Sequence, residues 1–333
     1  MLPPLLIVNP ACGARSSARS LPRILARAQE ALGDVVVLYT SRPGHARELA
    51  EKAAREGYPL IVAVGGDGTF SEVANGVLDF ADAVAGGPAA EQTVITGADS
   101  TQSGDAPVVG LINVGTGGDF RRSLGIEAGF DHCLEALTSG RERLVDVGRA
   151  SFRAMDGRTI EQYFVNVLSA GLGGLVDRYV DRMPAFLGGR IAYYLAALGA
   201  VIVSKEQPLQ ARITWQGETR ENIIPAYLVA ICNGRWFGGG MDVAPMASFD
   251  DGRLEVVTVT APSKPYLADR VRGVYTGRHL EEPTVHHFPC EGLELRLGEE
   301  AAEHRFFLDV DGEPLGSLPL RVKVMPRRLR VRG

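Results

Sequence analysis

Four short apolar segments in the first half of the chain, each followed by a helical pattern, restrict the fold more than any other feature. The apolar segments cover residues 5–8, 35–39, 60–64 and 108–114. Helical periodicity follows them over residues 20–32, 45–57, 70–78 and 130–139. Because buried apolar strands alternate with helices, this half is predicted to form an α/β unit around a parallel sheet.

The second half has many strand-like segments and few helices. These segments cover residues 143–152, 161–169, 209–216, 223–232, 254–260, 292–297 and 305–310. Such a series is typical of a mainly antiparallel, β-rich domain. The predicted fold class is therefore α/β with two domains: residues 1–135, to which residues 318–333 return, and residues 140–317. The small and polar stretch 81–107 is predicted to leave the core as a long excursion.

Composition excludes several classes of protein. The formal net charge is −5, so nothing indicates binding to nucleic acid. The chain has four Lys residues and none follows a Gly, which excludes the Gly-Lys-Ser/Thr loop of P-loop NTPases. The longest apolar run, residues 191–203, is shorter than the about 20 residues of a membrane span, so no transmembrane segment is predicted. Four scattered Cys residues favour a reduced, cytoplasmic protein.

The sequence Gly-Gly-Asp-Gly-Thr at residues 65–69 lies between a predicted strand and a predicted helix. Glycines let a backbone turn sharply and present several N–H groups in one direction, which suits phosphate oxygens. Asp67 cannot itself receive a phosphate, so it must hold a metal, a basic side chain or the backbone of the loop. The alternative is a tight turn between strand and helix.

Three more strand ends carry similar chemistry. Gly115–Asp119 is a second glycine-rich loop, Asn9–Gly13 follows the first strand, and Thr40 follows the second. The carboxyl ends of parallel strands share one edge of a sheet, where open α/β proteins bind ligands. We therefore expect these four loops to converge on one binding site.

The order of these motifs resembles the diacylglycerol kinase catalytic-domain family, which includes soluble bacterial lipid kinases, sphingosine kinases and ceramide kinases. The first half contributes Asn-Pro-x-x-Gly from Asn9, Gly-Gly-Asp-Gly-Thr with Glu72 and Asn75, and Gly-Thr-x-x-Asp-Phe from Gly115. The second half contributes Gly-Gly-Gly-Met at 238–241, Asp-Asp-Gly at 250–252 and Asp-Gly-Glu at 311–313. The resemblance covers nearly the whole chain in the same order.

The resemblance implies an ATP-dependent kinase that phosphorylates the hydroxyl of diacylglycerol or a related lipid alcohol, with ATP and Mg²⁺ as cofactors. The first domain is then the ATP-binding domain and the second receives the lipid. The implied ATP-binding residues are Asn9, Pro10, Ala11, Cys12, Gly13, Thr40, Gly65, Gly66, Asp67, Gly68, Thr69, Phe70, Ser71, Glu72 and Thr116.

The resemblance also implies catalytic and metal-binding residues. Glu313 matches the general base that takes the proton of the lipid hydroxyl, and Asp311 and Asp67 match carboxylates that connect the metal to the active site. Alone, Asp-Gly-Glu at 311–313 also fits a hairpin turn. The implied Mg²⁺ ligands are the Asp251 side chain and the carbonyl groups of Ser248 and Arg253, since Mg²⁺ prefers oxygen.

The sequence departs from the family pattern at Cys12, where Ser is usual, at Gly118, where Asn is usual, and at Gly173, where Asp is usual. Gly118 and Gly173 leave open a catalytically weak regulator that binds a nucleotide or lipid. The motif Gly-Gly-Asp-Gly, which NAD kinases also carry, leaves open an NAD kinase-like enzyme. The expected partner is a lipid substrate at a membrane surface, with a peripheral membrane position and a homodimer both allowed. Arg328, Arg330 and Arg332 either attract anionic headgroups or form the solvent face of a strand.

Overall fold

The computed structural model describes residues 2–12, 15–86, 106–115, 117–180, 196, 199–298 and 306–333. They divide into two compact units, Met1–Val145 with Arg327–Gly333, and Asp146–Pro326. Gly13, Thr116 and residues 87–105 of the predicted excursion lie outside the described residues.

The first unit is an α/β structure. Its strands are β1 (Leu5–Val8), β2 (Val36–Tyr39), β3 (Leu60–Gly65) and β4 (Val108–Asn113), and its helices are α1 (Arg15–Leu32), α2 (His45–Arg55), α3 (Asp67–Val84), α4 (Asp119–Ser123) and α5 (Phe130–Ser139). The strands lie in the order β4-β3-β1-β2 and all pair in parallel. Val331 adds a further parallel pair beside Val109. The predicted parallel α/β unit is confirmed.

Apolar packing fixes the helices on the sheet of the first unit. Leu6, Val62 and Ile112 of the strands pack in one cluster with Ala28 of α1 and Leu137 of α5. Helices α2 and α3 pack so closely that a Cβ atom at Gly76 would lie 2.2 Å from the Arg47 carbonyl oxygen. A side chain at this position would therefore separate the two helices.

Helix α3 begins earlier than the periodicity predicts, at Asp67 instead of residue 70. Gly66 is the extended N-cap residue, and the Phe70 N–H donates to the Gly66 carbonyl at 3.1 Å. The glycine-rich motif is therefore the first turn of a helix. The helix also continues to Val84, into the predicted excursion, because the sequence Ala-Asp-Ala-Val carries no residue that would end it.

The second unit is mainly antiparallel, as predicted. Its strands, of which β5 begins and β17 ends with residues of the first unit, are β5 (Glu142–Ala154), β6 (Thr159–Phe164), β7 (Val167–Gly171), β8 (Gln207–Trp215), β9 (Glu218–Ala226), β10 (Leu228–Cys232), β11 (Trp236–Phe237), β12 (Met241–Asp242), β13 (Leu254–Val259), β14 (Val285–Cys290), β15 (Gly292–Leu297), β16 (Phe307–Val310) and β17 (Glu313–Arg332). Its helices include α6 (Leu172–Val180) and α7 (Lys264–Arg270), the latter followed by 3-10 turns at Val271–Thr276 and Arg278–Glu281, and the described residues 199–203 are also helical.

Two strands predicted as continuous are interrupted. Residues 161–169 divide into β6 and β7 because the N–H groups of Val165 and Asn166 donate to the Asp311 carboxylate. Residues 223–232 divide into β9 and β10 at Tyr227, whose carbonyl accepts the Leu172 N–H at 2.8 Å. In both places these hydrogen bonds replace the hydrogen bonds between neighbouring strands. A pattern of apolar residues does not reveal such an exchange.

The basic residues at the end of the chain form ion pairs within the first unit. Arg328 lies 2.6 Å from Asp82, and Arg330 and Arg332 contact Glu142 at 2.7 and 2.6 Å. Hydrogen bonds from Arg332 and Arg330 lower the pKa of Glu142. The positive charges of these arginines, on one strand, are therefore neutralised by neighbouring carboxylates. Among the described helices, none is long and apolar enough to cross a membrane.

Candidate active site

The described parts of the four predicted loops leave the sheet at one edge. Val8 pairs with Val64 and Gly65 pairs with Asn113, so β1, β3 and β4 end side by side. The Thr40 N–H donates to the Val8 carbonyl at 2.9 Å, which brings the end of β2 to the same edge. The structure thus brings together the residues that follow each of these strands.

The two glycine-rich loops approach each other so closely that Gly115 has no room for a side chain. A Cβ atom at Gly115 would lie 2.7 Å from the Gly66 Cα and 3.3 Å from the Cys12 sulfur. The Gly115 N–H donates to the Asn113 side chain at 2.9 Å, which fixes the turn after β4. Glycine at position 115 therefore lets the backbones of the two loops lie against each other.

Asp67 joins the two loops directly. Its carboxylate accepts the backbone N–H groups of Gly118 at 2.7 Å, Asp119 at 3.0 Å and Phe120 at 3.2 Å. These groups form the first turn of α4, whose N-cap residue Gly118 has a φ of 77°. The sequence left open a metal, a basic side chain or the backbone of its own loop for Asp67, and the structure instead shows the backbone of the second glycine-rich loop.

Aromatic stacking supports the same junction. The rings of Phe70 and Phe120 stack with centroids 4.2 Å apart, and both side chains are buried. Arg122 lies 2.6 Å from the buried carboxylate of Asp119. The sequence reveals Phe70 and Phe120 as separate apolar residues, but it contains no signal that they stack.

Asn9 and Glu72 connect α3 to its neighbours. Asn9 donates to the Thr69 hydroxyl at 3.1 Å, and its own side-chain oxygen accepts the Ala11 N–H at 3.0 Å. The Glu72 carboxylate accepts the N–H groups of Gly44 and Ala46, each at 2.9 Å, at the start of α2. Both side chains therefore fix the loops around the glycine-rich turn.

The start of α3 has the chemistry of an anion site. The first N–H groups of the helix, those of Asp67, Gly68 and Thr69, precede the first helical hydrogen bond, which Phe70 makes. An 18-residue helix also places a partial positive charge at this end. Backbone donors and a helix dipole together suit phosphate oxygens.

In the second unit, Asp311 and Gly312 form the turn between β16 and β17. Val310 pairs with Glu313, and the two turn residues have φ values of 51° and 91°. Two positive φ angles are typical of the tight turn favoured by Asp-Gly. The hairpin reading is therefore correct, and the turn places Glu313 as the first residue of β17.

The Asp311 carboxylate is held by backbone groups. It accepts the N–H groups of Val165 at 2.8 Å, Asn166 at 2.9 Å and Val167 at 3.1 Å. The Asp311 N–H in turn donates to the Val167 carbonyl at 3.0 Å. Asp311 therefore fixes the turn that precedes Glu313, while Glu313 itself is half-buried.

The loop 248–253 carries the implied metal ligands. The Asp251 carboxylate lies 2.9 Å from Arg253 Nε, and the same guanidinium lies 3.2 Å from the buried Glu255. Ser248 donates to Asp250 at 2.7 Å. No group of three His, Cys, Asp or Glu side chains within the described residues forms a metal centre. One carboxylate with nearby carbonyls is still a donor set that suits Mg²⁺ completed by water.

Sequence reasoning missed two polar residues that support this loop. Asp146 is fully buried, and it accepts the Gly252 N–H at 2.7 Å. Asn233, also fully buried, donates to the carbonyl groups of Asp146 and Val165 at 2.7 and 2.9 Å. A lone Asp within the apolar strand sequence Leu-Val-Asp-Val was the available signal.

The second unit also contains an apolar cavity of about 100 Å³. Its wall includes Leu172 and Val176 of α6, Leu228 of β10, Val259 of β13 and Leu267 of α7. Apolar walls of this kind receive hydrocarbon, not phosphate.

Comparison with known proteins gives two family matches. Residues 3–150 match the diacylglycerol kinase catalytic domain, and residues 166–333 match the YegS C-terminal NAD kinase beta sandwich-like domain. The two matches follow one another along nearly the whole chain.

Individual proteins agree with these matches. A diacylglycerol kinase from Bacillus subtilis is 27% identical over 94% of this chain and 90% of its own length. A diacylglycerol kinase from Staphylococcus haemolyticus is 25% identical over 98% and 86%. A solved structure of a provisionally assigned diacylglycerol kinase from Bacillus anthracis has a TM-score of 0.71 at 25% identity, covering 99% of this chain and 97% of that one.

Proposed function

The chain belongs to the diacylglycerol kinase family of ATP-dependent lipid kinases, and we propose that it transfers the γ-phosphoryl group of ATP to the hydroxyl of diacylglycerol or a related lipid alcohol. The observation that carries this proposal is the glycine-rich junction of Gly66 and Gly115 beside the first turn of α3. Phosphoryl transfer depends on positioning and on charge neutralisation more than on covalent help from the protein. Backbone N–H groups that converge on the phosphates would supply both the positioning and the charge neutralisation.

The ATP phosphates are proposed to lie against the N–H groups at the start of α3. The close approach at Gly115 brings the backbones of the two loops together, and the Asp67 carboxylate holds the second loop against the first. Asn9, Thr69 and Glu72 support the loops through hydrogen bonds. Cys12 and Thr40 complete the proposed nucleotide site from β1 and β2.

Glu313 is the proposed general base in the second unit. Its position at the start of β17 is fixed by the Asp311-Gly312 turn, and Asp311 is held by three backbone N–H groups. A half-buried carboxylate on a rigid turn can accept the proton of a hydroxyl as the phosphoryl group is transferred. Asp311 acts in this proposal as a positioning residue.

The apolar cavity of the second unit is the proposed site for hydrocarbon of the acceptor. At about 100 Å³ it is smaller than an engineered protein cavity of about 150 Å³ that binds benzene, so it holds part of one chain. Burial of each CH₂ group contributes about 0.8 kcal/mol. A few methylene groups are enough to favour a lipid over a water-soluble alcohol.

Mg²⁺ is proposed at the loop 248–253, with Asp251 and the carbonyl groups of Ser248 and Arg253 as ligands. The donor set suits the ion, although Arg253 now contacts the Asp251 carboxylate at 2.9 Å and would have to release it. A bound Mg²⁺ would supply positive charge to this loop. Asp146 and Asn233 hold the loop in place through hydrogen bonds.

A lipid acceptor implies that the enzyme works at a membrane surface, as a peripheral protein. The arginines at the end of the chain do not support this step, because Asp82 and Glu142 compensate Arg328, Arg330 and Arg332. We therefore propose that the enzyme contacts the membrane through its lipid acceptor, whose hydrocarbon enters the apolar cavity.

The experiment that tests the function offers the purified chain γ-labelled ATP together with NAD and a mixed lipid extract. The proposal expects label in a lipid that partitions into organic solvent. Label in phosphorylated NAD would instead identify an NAD kinase. ATP binding without any labelled product would identify a nucleotide-binding regulator.

A further inference from the structure

Two neighbouring apolar side chains of the second unit, Ile202 and Val203, are exposed to solvent. Ile202 is 70% exposed and Val203 is 53% exposed. Among the described residues, this exposed pair is the only case in which two exposed large hydrophobic residues are adjacent in the sequence. Single exposed apolar side chains are normal on a protein surface, whereas contiguous ones mark an interaction site.

The residue just before the exposed pair packs against the wall of the apolar cavity. Residues 199–203 are helical. Val201 is buried in one cluster with Leu172, Val176 and Leu267, and these three residues line the cavity. The same helical segment therefore packs one side against the cavity wall and presents the exposed pair to solvent.

Two of the four lysines of the chain flank the exposed pair. Lys205 is exposed, and Lys264, at the start of α7, donates through its ammonium group to the Ile202 carbonyl. Neither lysine forms an ion pair with a described residue, unlike the arginines at the end of the chain. The nearest carboxylate in the sequence, Glu206, lines a different cavity. The exposed pair is therefore flanked by more positive than negative charge.

We propose that Ile202, Val203 and Lys205 form a membrane-contact surface, which inserts its apolar side chains into an anionic bilayer and holds the apolar cavity near the lipids. This inference rests on the proposed function, because a kinase with a lipid acceptor collects that acceptor from a membrane. A bilayer fits both features of the surface, since its interior receives apolar side chains and its anionic headgroups attract lysine. The contact is direct and adds to the contact through the acceptor.

Vesicles without an acceptor separate the direct contact from the contact through the acceptor. Their lipids are phosphatidylcholine and phosphatidylserine, neither of which has a free glycerol hydroxyl, and co-sedimentation measures binding of the full chain without ATP. The double variant Ile202→Ser with Val203→Ser should lower the partition coefficient at least about tenfold, because two large apolar side chains no longer enter the bilayer. Lys205→Gln should lower it about fivefold on these vesicles and leave it unchanged on pure phosphatidylcholine.

Ile223→Ser is the matched control. Ile223 is 72% exposed on β9, where it lines a different surface with Arg212 and Arg296. It shares apolar exposure and nearby cations with the proposed surface, but it does not line the apolar cavity. This variant should bind vesicles as the parent does. Loss of binding in Ile223→Ser, with full binding in the double variant, would place the membrane contact on β9 and overturn the inference.

A gain of binding provides a second measurement that does not depend on the double variant remaining folded. Val203→Trp should raise the partition coefficient several-fold, because Trp favours the interface between membrane and water. An unchanged partition coefficient in Val203→Trp would contradict insertion of this side chain. Phosphorylation of dispersed dihexanoylglycerol by the folded double variant should proceed at the parent rate. A slower rate there would assign the exposed pair to the acceptor site and overturn the inference.

The outcomes also separate this inference from the proposed function. Equal partition of the parent and the double variant, or no binding of the parent to acceptor-free vesicles, overturns the inference even when label from ATP enters a lipid. Loss of self-association in the double variant, without loss of vesicle binding, would assign the exposed pair to a contact between two copies and overturn it as well. Vesicle binding that depends on the exposed pair supports the inference, and absence of any labelled lipid in the same preparation then contradicts only the kinase proposal.

Discussion

The Asp67 carboxylate accepts the backbone N–H of Gly118 at 2.7 Å, although 51 residues separate them in the sequence. The same carboxylate also accepts the N–H groups of Asp119 and Phe120. The acid of the Gly-Gly-Asp-Gly motif therefore fixes the second glycine-rich loop. This contact explains how a carboxylate can lie beside a proposed phosphate site without facing the phosphates.

Replacement of Asp67 by Asn should weaken ATP binding. An amide keeps the size of the side chain, but its NH₂ group faces backbone N–H donors and cannot accept from them. We expect at least about a tenfold rise in the ATP dissociation constant, equivalent to about 1.4 kcal/mol. Equilibrium binding of ATP to the folded variant measures this.

Asp79 provides the matched control for this substitution. It lies on the same helix and pairs with Arg47 at 2.5 Å, away from the glycine-rich turn. Asp79→Asn should leave ATP affinity unchanged. Equal ATP affinity in Asp67→Asn and Asp79→Asn would show that Asp67 does not contribute to the nucleotide site.

Cys12 should be the first thiol to react with iodoacetamide, and ATP should protect it. The thiols of Cys133, Cys232 and Cys290 are buried, and burial raises their pKa, to about 12 for Cys290. Cys12 is half-buried beside Gly66 and Gly115. Mass spectrometry of alkylated peptides should show several-fold slower modification of Cys12 with ATP present. If ATP slowed the modification of the buried thiols but not that of Cys12, ATP would bind away from Cys12.

Asp251→Asn should raise the Mg²⁺ concentration that gives half-maximal rate. The substitution removes the only carboxylate among the proposed ligands. Arg253→Gln should act in the opposite direction, because it removes the cation that contacts Asp251 at 2.9 Å. A titration with Mg²⁺ at constant ATP measures both effects, and Asp250→Asn is the control. Unchanged titrations in all three variants would make the loop a turn without a metal.

The strand and helix pattern predicted the first unit well because its signals are local. Buried strands such as Leu60–Gly65 are continuous apolar runs, and a glycine is the N-cap residue of each of the helices α2 to α5. The glycine-rich motif was also visible, although its first residues proved to be part of α3. A residue such as Asp67 at a helix start has no apolar periodicity, so the pattern began only at Phe70.

The sequence could not reveal contacts between distant segments. Asp311 interrupts the strand predicted over 161–169 by accepting N–H groups from residues about 145 positions away. The roles of Asp146 and Asn233 likewise depend on burial that only the fold creates. Motif order predicted the family, whereas the partners of each polar side chain required the structure.

Glu255→Gln should stabilise the protein at neutral pH. Burial raises the pKa of Glu255, with the Asp251 charge adding to the effect and Arg253 opposing it. A raised pKa in the folded state means that stability is lost as pH rises through that pKa. The variant should therefore melt higher than the parent at pH 7, and the difference should shrink toward pH 4. A difference that grows on acidification would contradict this sign.

The most direct test of the central claim is the rate of label transfer from γ-labelled ATP to a short-chain diacylglycerol or monoacylglycerol by the parent chain and by Glu313→Gln. The variant keeps the size of the side chain and loses its basicity, so kcat should fall about 10²- to 10⁴-fold with ATP affinity nearly unchanged. Glu294→Gln, on β15, should transfer label at the parent rate. Equal rates for the parent and Glu313→Gln, or no labelled lipid from the parent chain, would contradict the account.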